Sequence, residues 1–183
     1  MRRFLILIPA AVGLAIASRR SLADPRSHGF PRFFGFGALL GLVLLNAPWW
    51  FRRPFCPRQL ASWTLLASSA GLAAHSFRAL RMAGRPDERR ADDPALLGFE
   101  RTTALVRTGA YGVIRHPLYA SLILLAGGAL LKRVSCSASA LAAGASACFA
   151  ATALVEEAEN LRSFGEEYAV YQRTTHLLIP HLL

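Results

Sequence analysis

Two short runs in this chain hold the residues with chemistry in them. The first reads Arg107-Thr108-Gly109-Ala110-Tyr111 and then Arg115-His116-Pro117-Leu118-Tyr119, at the start of an apolar stretch. The second is Glu156-Glu157, at the end of the next apolar stretch. Proline at the first position of a helix is pre-shaped for the turn and pushes the residue before it into extended backbone. Arg115 and His116 are therefore expected just outside a helix mouth, with Tyr119 in the first turn and free backbone N–H groups that suit an anion. Two adjacent carboxylates at the end of an apolar helix are costly unless cations or donors meet them. Arg115 and His116 stand on the right side to do so. Neighbouring helical residues point about 100° apart, so one carboxylate is expected to face the site and the other to be solvated or paired elsewhere. A positive mouth opposite two carboxylates complements a ligand that carries both charges, such as an amino-acid zwitterion. His75, near the end of an earlier apolar run, either lines the same space or packs locally.

The tail extends this constellation. Ser163 and Glu166 have the spacing of a capping box, and Tyr168 and Tyr171 fall on one helix face, so a membrane-lying helix is expected over about 163–173. Each piece also has a plain structural reading: an interfacial stop, a polar flank, a membrane anchor. It is their combination across one helical hairpin that points to a site. No P-loop, dinucleotide-binding glycine motif or HExxH motif is present, and no metal is expected.

The elements that must position these residues follow from composition. The chain has 183 residues, 54% of them apolar and 17% charged, with a mean hydropathy of +0.34. Such a chain is not disordered, and three cysteines make neither a disulfide scaffold nor a zinc ribbon. The net charge is +10, but the basic residues fall in clusters between apolar runs rather than on one stripe, which argues against nucleic acid and for juxtamembrane contact with anionic lipid headgroups. The reading is an all-α polytopic membrane bundle, with about five spans at 4–18, 33–51, 60–77, 118–131 and 134–155 plus the C-terminal interfacial helix. Trp49, Trp50, Phe51 and Trp63 lie near span ends, where such rings collect. Lys132-Arg133 supplies a tight turn on the outer side. The Ala/Ser-rich stretch 135–151 and Gly127-Gly128 suit close helix packing. About twice as many basic residues fall on the side of the 78–115 loop and the tail as on the other, so that side is read as cytoplasmic and the N-terminus as outside. Residues 1–17 also fit a signal peptide, although Arg19 and Arg20 are poor flanks for translocation. Organisation is read as N-terminal spans and a loop over 1–106, then a cofactor-binding hairpin and C-terminal helix over 107–183.

Gly109-x-Tyr111, Arg115-His116-Pro117-x-Tyr119, Glu156-Glu157 and Phe164-Gly165-x-x-Tyr168-x-x-Tyr171, ending in Ile179-Pro180, resemble the isoprenylcysteine carboxyl methyltransferase family and its phospholipid methyltransferase relatives. The resemblance covers roughly 107–180. It implies an S-adenosylmethionine-dependent methyltransferase embedded in the bilayer, with a lipidic or prenylated acceptor bearing a carboxylate or amine. Carried onto matching positions, it implies that Tyr111, His116, Pro117, Tyr119, Glu156 and Glu157 surround the cofactor. Arg115 and Glu156 are the catalytic candidates, with Arg115 near the transferred methyl and the acceptor. Tyr168 and Tyr171 are candidates on the substrate side. The family commonly carries an Arg-Val-Pro-like run after the second tail tyrosine, whereas this chain has Thr174 where that arginine would stand. Arg173 or His176 must then substitute, or the acceptor is not a prenylcysteine carboxylate. Asn160 and Ala110 also depart from the usual leucine and proline.

Two other functions compete. Sterol and steroid reductases, which use NADPH, share an Arg-x-Pro-x-Tyr segment before a span and a tyrosine-rich tail. A small membrane adaptor would keep the scaffold without catalysis.

Overall fold

The computed structural model describes Pro25 and residues 27–83 and 105–180. They form five α-helices: α1 Gly29–Asn46, α2 Pro57–Ala83, α3 Pro117–Lys132, α4 Cys136–Phe164 and α5 Glu166–Thr174. Short 3-10 turns lie at Ala47–Trp49 and Gly109–Gly112. The all-helical expectation holds, and no strand is present among the described residues beyond one isolated parallel bridge between Ile114 and His176.

Local chemistry sets the helix limits. Pro117 begins α3 as expected, with His116 as its N-cap. Ser135 caps α4 by accepting a hydrogen bond from the Ala138 N–H at 3.2 Å. That helix does not stop near 155 but runs 29 residues to Phe164, so Glu156 and Glu157 belong to its final turns. The expected capping box at Ser163 does not form. Ser163 sits inside α4, its hydroxyl donating to the Glu159 carbonyl at 3.0 Å, and the chain breaks at Gly165, whose φ of 57° is the left-handed conformation that glycine tolerates. The final helix starts only at Glu166, with Glu166 and Glu167 in a first turn where negative charge is favoured.

Within the bundle α2 lies along α3, α1 lies along α4, and α3 packs on α4. The core draws Leu39 and Leu42 from α1, Tyr119, Ala126 and Ala129 from α3, Ala142, Ala145, Phe149 and Ala153 from α4, and Leu177 and Leu178 from the tail, so it spans the 106/107 division. Small residues bring backbones together: a Cβ on Gly35 would stand 2.9 Å from the Phe149 ring, and one on Gly128 would stand 2.8 Å from Leu66 and 3.2 Å from the Ser62 carbonyl.

Polarity on α2 is inverted. Ser62, Ser69 and Ser76, seven residues apart, are all buried. The first two donate to carbonyls of α3, Ser62 to Gly128 and Ser69 to Ser121, both at 2.7 Å. Over 60–74 the outward positions are uncharged and mostly apolar, Leu60, Ala61, Ala67, Ala70 and Ala74 among them, while Arg58, Arg78 and Arg81 are exposed toward the two ends of the helix. Along α4 the outward residues Cys136, Ala140, Ala143, Ala147 and Leu154 are likewise uncharged.

Among the described residues, two helical stretches are long and apolar enough to cross a membrane, Gly29–Trp49 and Cys136–Phe164, while Pro117–Lys132 is apolar but shorter. The expected span at 60–77 lies within α2, which at 27 residues is about 40 Å long but less apolar, its polar side turned inward. The expected span at 4–18, the alternative signal peptide at 1–17 and most of the basic loop lie outside the described residues.

Candidate functional site

The approach to α3 is stapled on both sides. Gly109 has φ 62°, and a Cβ there would stand 2.3 Å from Nε2 of His75, so only glycine fits against that ring. His75 Nε2 accepts from the Ala110 N–H at 3.2 Å, which makes this histidine a local packing partner of the turn. Residues 113–116 then run beside the segment after α5. The His176 N–H donates to Val113 O at 3.0 Å, Arg115 N–H to His176 O at 2.8 Å and His116 N–H to Leu177 O at 3.1 Å. Tyr171 donates its hydroxyl to Tyr111 O at 2.6 Å, closing α5 over the same turn. Arg107 adds an outer tie through Nη2 to the Glu167 carbonyl and carboxylate, both at 3.0 Å.

These ties converge on Glu157. Its carboxylate accepts from Arg115 Nε at 2.9 and 3.0 Å, His116 Nε2 at 2.8 Å, the Tyr168 hydroxyl at 2.7 Å and Gln172 Nε2 at 2.6 Å. Four donors from both sides of the chain compensate the loss of water around a buried anion. Because a carboxylate only accepts, Nε2 is the His116 nitrogen that carries the proton here. Arg115 is further engaged through Nη1, which donates to Gln172 O at 3.2 Å and Thr175 O at 2.5 Å. The two tail tyrosines do share one buried face. Burial raises the Tyr168 phenol well above its ordinary value, and the Glu157 carboxylate raises it further. Burial likewise pushes Tyr171 up to about 12, against the pull of Arg115.

Glu156 differs from its neighbour. Its Oε2 is buried with no hydrogen-bond partner among the described residues and lies 3.8 Å from His116 Nδ1. The expectation that only one carboxylate faces the site is therefore corrected: the imidazole spans the angle between the two, with Glu157 on one ring nitrogen and Glu156 near the other. The same ring stacks on Tyr119 at 5.8 Å between centroids, and Tyr119 stacks on Phe149 at 6.3 Å. Pro117 is fully buried beneath. Arg173, by contrast, is exposed on α5, and His176 contributes its backbone to the stapled pair.

Sequence reasoning missed His28. This N-cap residue of α1 is fully buried, its Nδ1 hydrogen-bonds the Glu159 carboxylate, and its backbone N–H donates to Glu159 Oε1 at 3.3 Å. Burial opposes its positive charge, but the Glu159 bond and the nearby Glu156 raise its pKa overall. The available signal was the one-turn spacing from Glu156 to Glu159, which puts a second carboxylate beside the first. Lys132 also departs from expectation. Far from flanking the bilayer in water, it is fully buried, with Nζ 3.2 Å from the Trp63 ring centroid and 3.1 Å from Gln59 Oε1.

Fold and site together define an all-helical protein with, among the described residues, two stretches long and apolar enough to span a bilayer and a buried carboxylate network at one end. No protein-family model, curated protein or solved structure matches the chain.

Proposed function

We propose that this chain is a multi-pass membrane methyltransferase that uses S-adenosylmethionine and resembles the isoprenylcysteine carboxyl methyltransferases. The observation that carries the reading is the buried, unsatisfied Oε2 of Glu156, beside His116 at a helix mouth that no side chain caps. A buried acceptor without a donor is costly, and a ligand ammonium would satisfy it. The uncapped N–H groups of the first turn of α3 suit the carboxylate of the same ligand. An amino-acid end thus fits both halves of the site.

In this reading His116, Tyr119 and Glu156 hold the cofactor, with Tyr111 and Pro117 shaping the wall. The cofactor supplies an electrophilic methyl group on a sulfonium. In-line transfer from it needs no nucleophilic side chain, so positioning and exclusion of water carry the rate. Arg115 Nε is committed to Glu157 and its Nη1 to the Gln172 and Thr175 carbonyls, and both Glu157 oxygens are taken up by Arg115, His116, Tyr168 and Gln172, so the two act as positioning residues that lock the mouth of α3 to α4 and α5. Tyr168 and Tyr171 are committed in the same way. The acceptor is a lipidic carboxylate or amine entering from the bilayer, with Arg173 and His176 at the tail as its candidate partners. The polarity of the middle of α2 supports a lipid surround, since Ser62, Ser69 and Ser76 are turned inward and the outward residues over 60–74 carry no charge. The site end faces the cytoplasm and the N-terminus lies outside, in accord with the distribution of basic residues.

The test is equilibrium binding of S-adenosylmethionine to the full chain in mild detergent, with NADPH in parallel. Saturable binding, weakened tenfold or more by Glu156→Ala or His116→Ala, is expected. Binding of NADPH alone by the folded protein would transfer the site to the reductase reading, and binding of neither would leave an adaptor.

A further inference from the structure

The end of the bundle away from Glu157 carries its own unbalanced charge. Two guanidiniums rest on the Trp49 indole, Arg52 and Arg133 each with Cζ 4.6 Å from the ring centroid. The two like charges are thus held within twice that distance of each other. Arg52, Arg53, Arg58 and Arg133 are all exposed, and none pairs with a carboxylate among the described residues. The sequence contains no acidic residue between Asp24 and Asp87 or between Glu100 and Glu156, so no neighbour along the chain neutralises them. Lys132 lies at the same end, but its charge is spent inward on Trp63 and Gln59.

The connecting turn is also strained. Arg53 has φ 47°, in the left-handed region that a side chain disfavours, and Pro54 follows it. An arginine stands where glycine would relax the backbone. On either side Phe51 and Phe55 are 77% and 84% exposed. Repulsion between two guanidiniums around one indole is relieved by a shared anion, and guanidinium matches phosphate oxygens in two-point contact. Exposed rings beside that anion call for an apolar remainder on the same ligand. Tryptophan and arginine at one level are also what the headgroup zone of a bilayer selects.

We propose that this face docks an anionic phospholipid, Arg52 and Arg133 sharing its phosphate beside Trp49 while Phe51 and Phe55 lie among its acyl chains. The proposal is independent of methyl transfer, which belongs to the other end of the bundle. It is tested by native mass spectrometry of the detergent-purified full chain titrated with phosphatidylglycerol or phosphatidylcholine. Phosphatidylglycerol is expected to bind about tenfold more tightly or better, and the double variant Arg52→Gln/Arg133→Gln to lose that preference. Arg53→Gly guards against misfolding of the double variant: it relieves the left-handed strain, so it should raise the thermal midpoint while weakening phosphatidylglycerol binding. Equal affinity for the two lipids, or a preference that persists in both variants, would overturn the proposal. Displacement of the lipid by excess inorganic phosphate would overturn it too, because the face would then be a free-anion site.

Discussion

The two ends of the bundle each bury a charge, and they do so by opposite means. At one end the Glu157 anion is surrounded by four hydrogen-bond donors, two from α5 and two from the segment before α3. At the other the Lys132 cation is enclosed by the faces of Trp63 and Trp50 and by one carboxamide. Hydrogen bonds are directional, so the anion dictates where every donor stands and thereby fixes the mouth of α3. Ring faces impose far looser geometry, and the lysine acts as a packed plug. Among the described residues the anionic end also leaves one carboxylate oxygen, on Glu156, without a hydrogen bond, whereas the buried lysine has a ring face and a carboxamide against it. Stability and ligand capacity therefore sit side by side at the first end, in Glu157 and Glu156, whereas among the described residues the second end leaves two neutral groups unpartnered, Asn46 Oδ1 and Trp50 Nε1, and exposes its arginines.

The sharpest way to break this contrast is Glu157→Ala. It leaves the Arg115 guanidinium, the Tyr168 hydroxyl and the Gln172 amide facing one another around a hole, and removal of one partner from a buried ion pair costs about 3–5 kcal/mol. A large fall in the thermal midpoint in detergent is expected, together with loosening of α5 detectable as faster amide exchange over 166–174. Retention of wild-type stability would show that the network is an ornament on a fold held elsewhere.

Much of this end could be read in advance. Proline at the start of α3 and two apolar stretches separated by a short turn predict a hairpin that returns Glu156-Glu157 to Arg115-His116, and the structure brings them together. What could not be read depends on partners far apart in the chain. The contact of Arg115 with Thr175 joins residues 60 apart, and that of His28 with Glu159 joins residues 131 apart, with no periodic signal at either position. The inward turn of Lys132 was hidden for a different reason. A lysine at the end of an apolar run normally snorkels to water, and only the position of Trp63, on another helix, supplies the ring face that outcompetes it. The break at Gly165 was misread because the capping pattern at Ser163 and the glycine compete within three residues, and continuation of α4 satisfies more backbone groups. The serines of α2 were illegible as a helix face because hydroxyls spaced by seven look like a solvated stripe until α3 provides their acceptors.

Alkaline pH also acts on the anionic end, and more mildly. Tyr171, pushed up to about 12 from 10.0 by burial, stays neutral in the fold at pH values where an unfolded chain already ionises. The folded state then holds more protons than the unfolded one, so this contribution to stability is complete below about pH 10 and is lost as pH rises toward 12. Tyr168 is shifted in the same direction and adds to the loss. The thermal midpoint followed against pH is expected to fall through that window, and Tyr171→Phe to flatten part of the fall. An unchanged midpoint would mean that α5 opens to water before its phenols titrate.

The smallest effect is expected from Lys132→Met. Methionine matches the lysine stem in length and fills the same space, so the substitution removes the charge without opening a cavity. It forfeits the attraction between the ammonium and the Trp63 ring and the bond to Gln59, together about 1–2 kcal/mol. It also removes the need to keep a buried cation dehydrated, which offsets part of that loss. Gln59 keeps its own donations to Trp49 O and Lys132 O, so no other buried group is stranded except its amide oxygen. A modest drop in thermal midpoint is thus expected, with S-adenosylmethionine binding unchanged. A loss as large as that of Glu157→Ala would erase the distinction between the two ends, because it would show that the ring cage, like the carboxylate network, dictates where its neighbours stand.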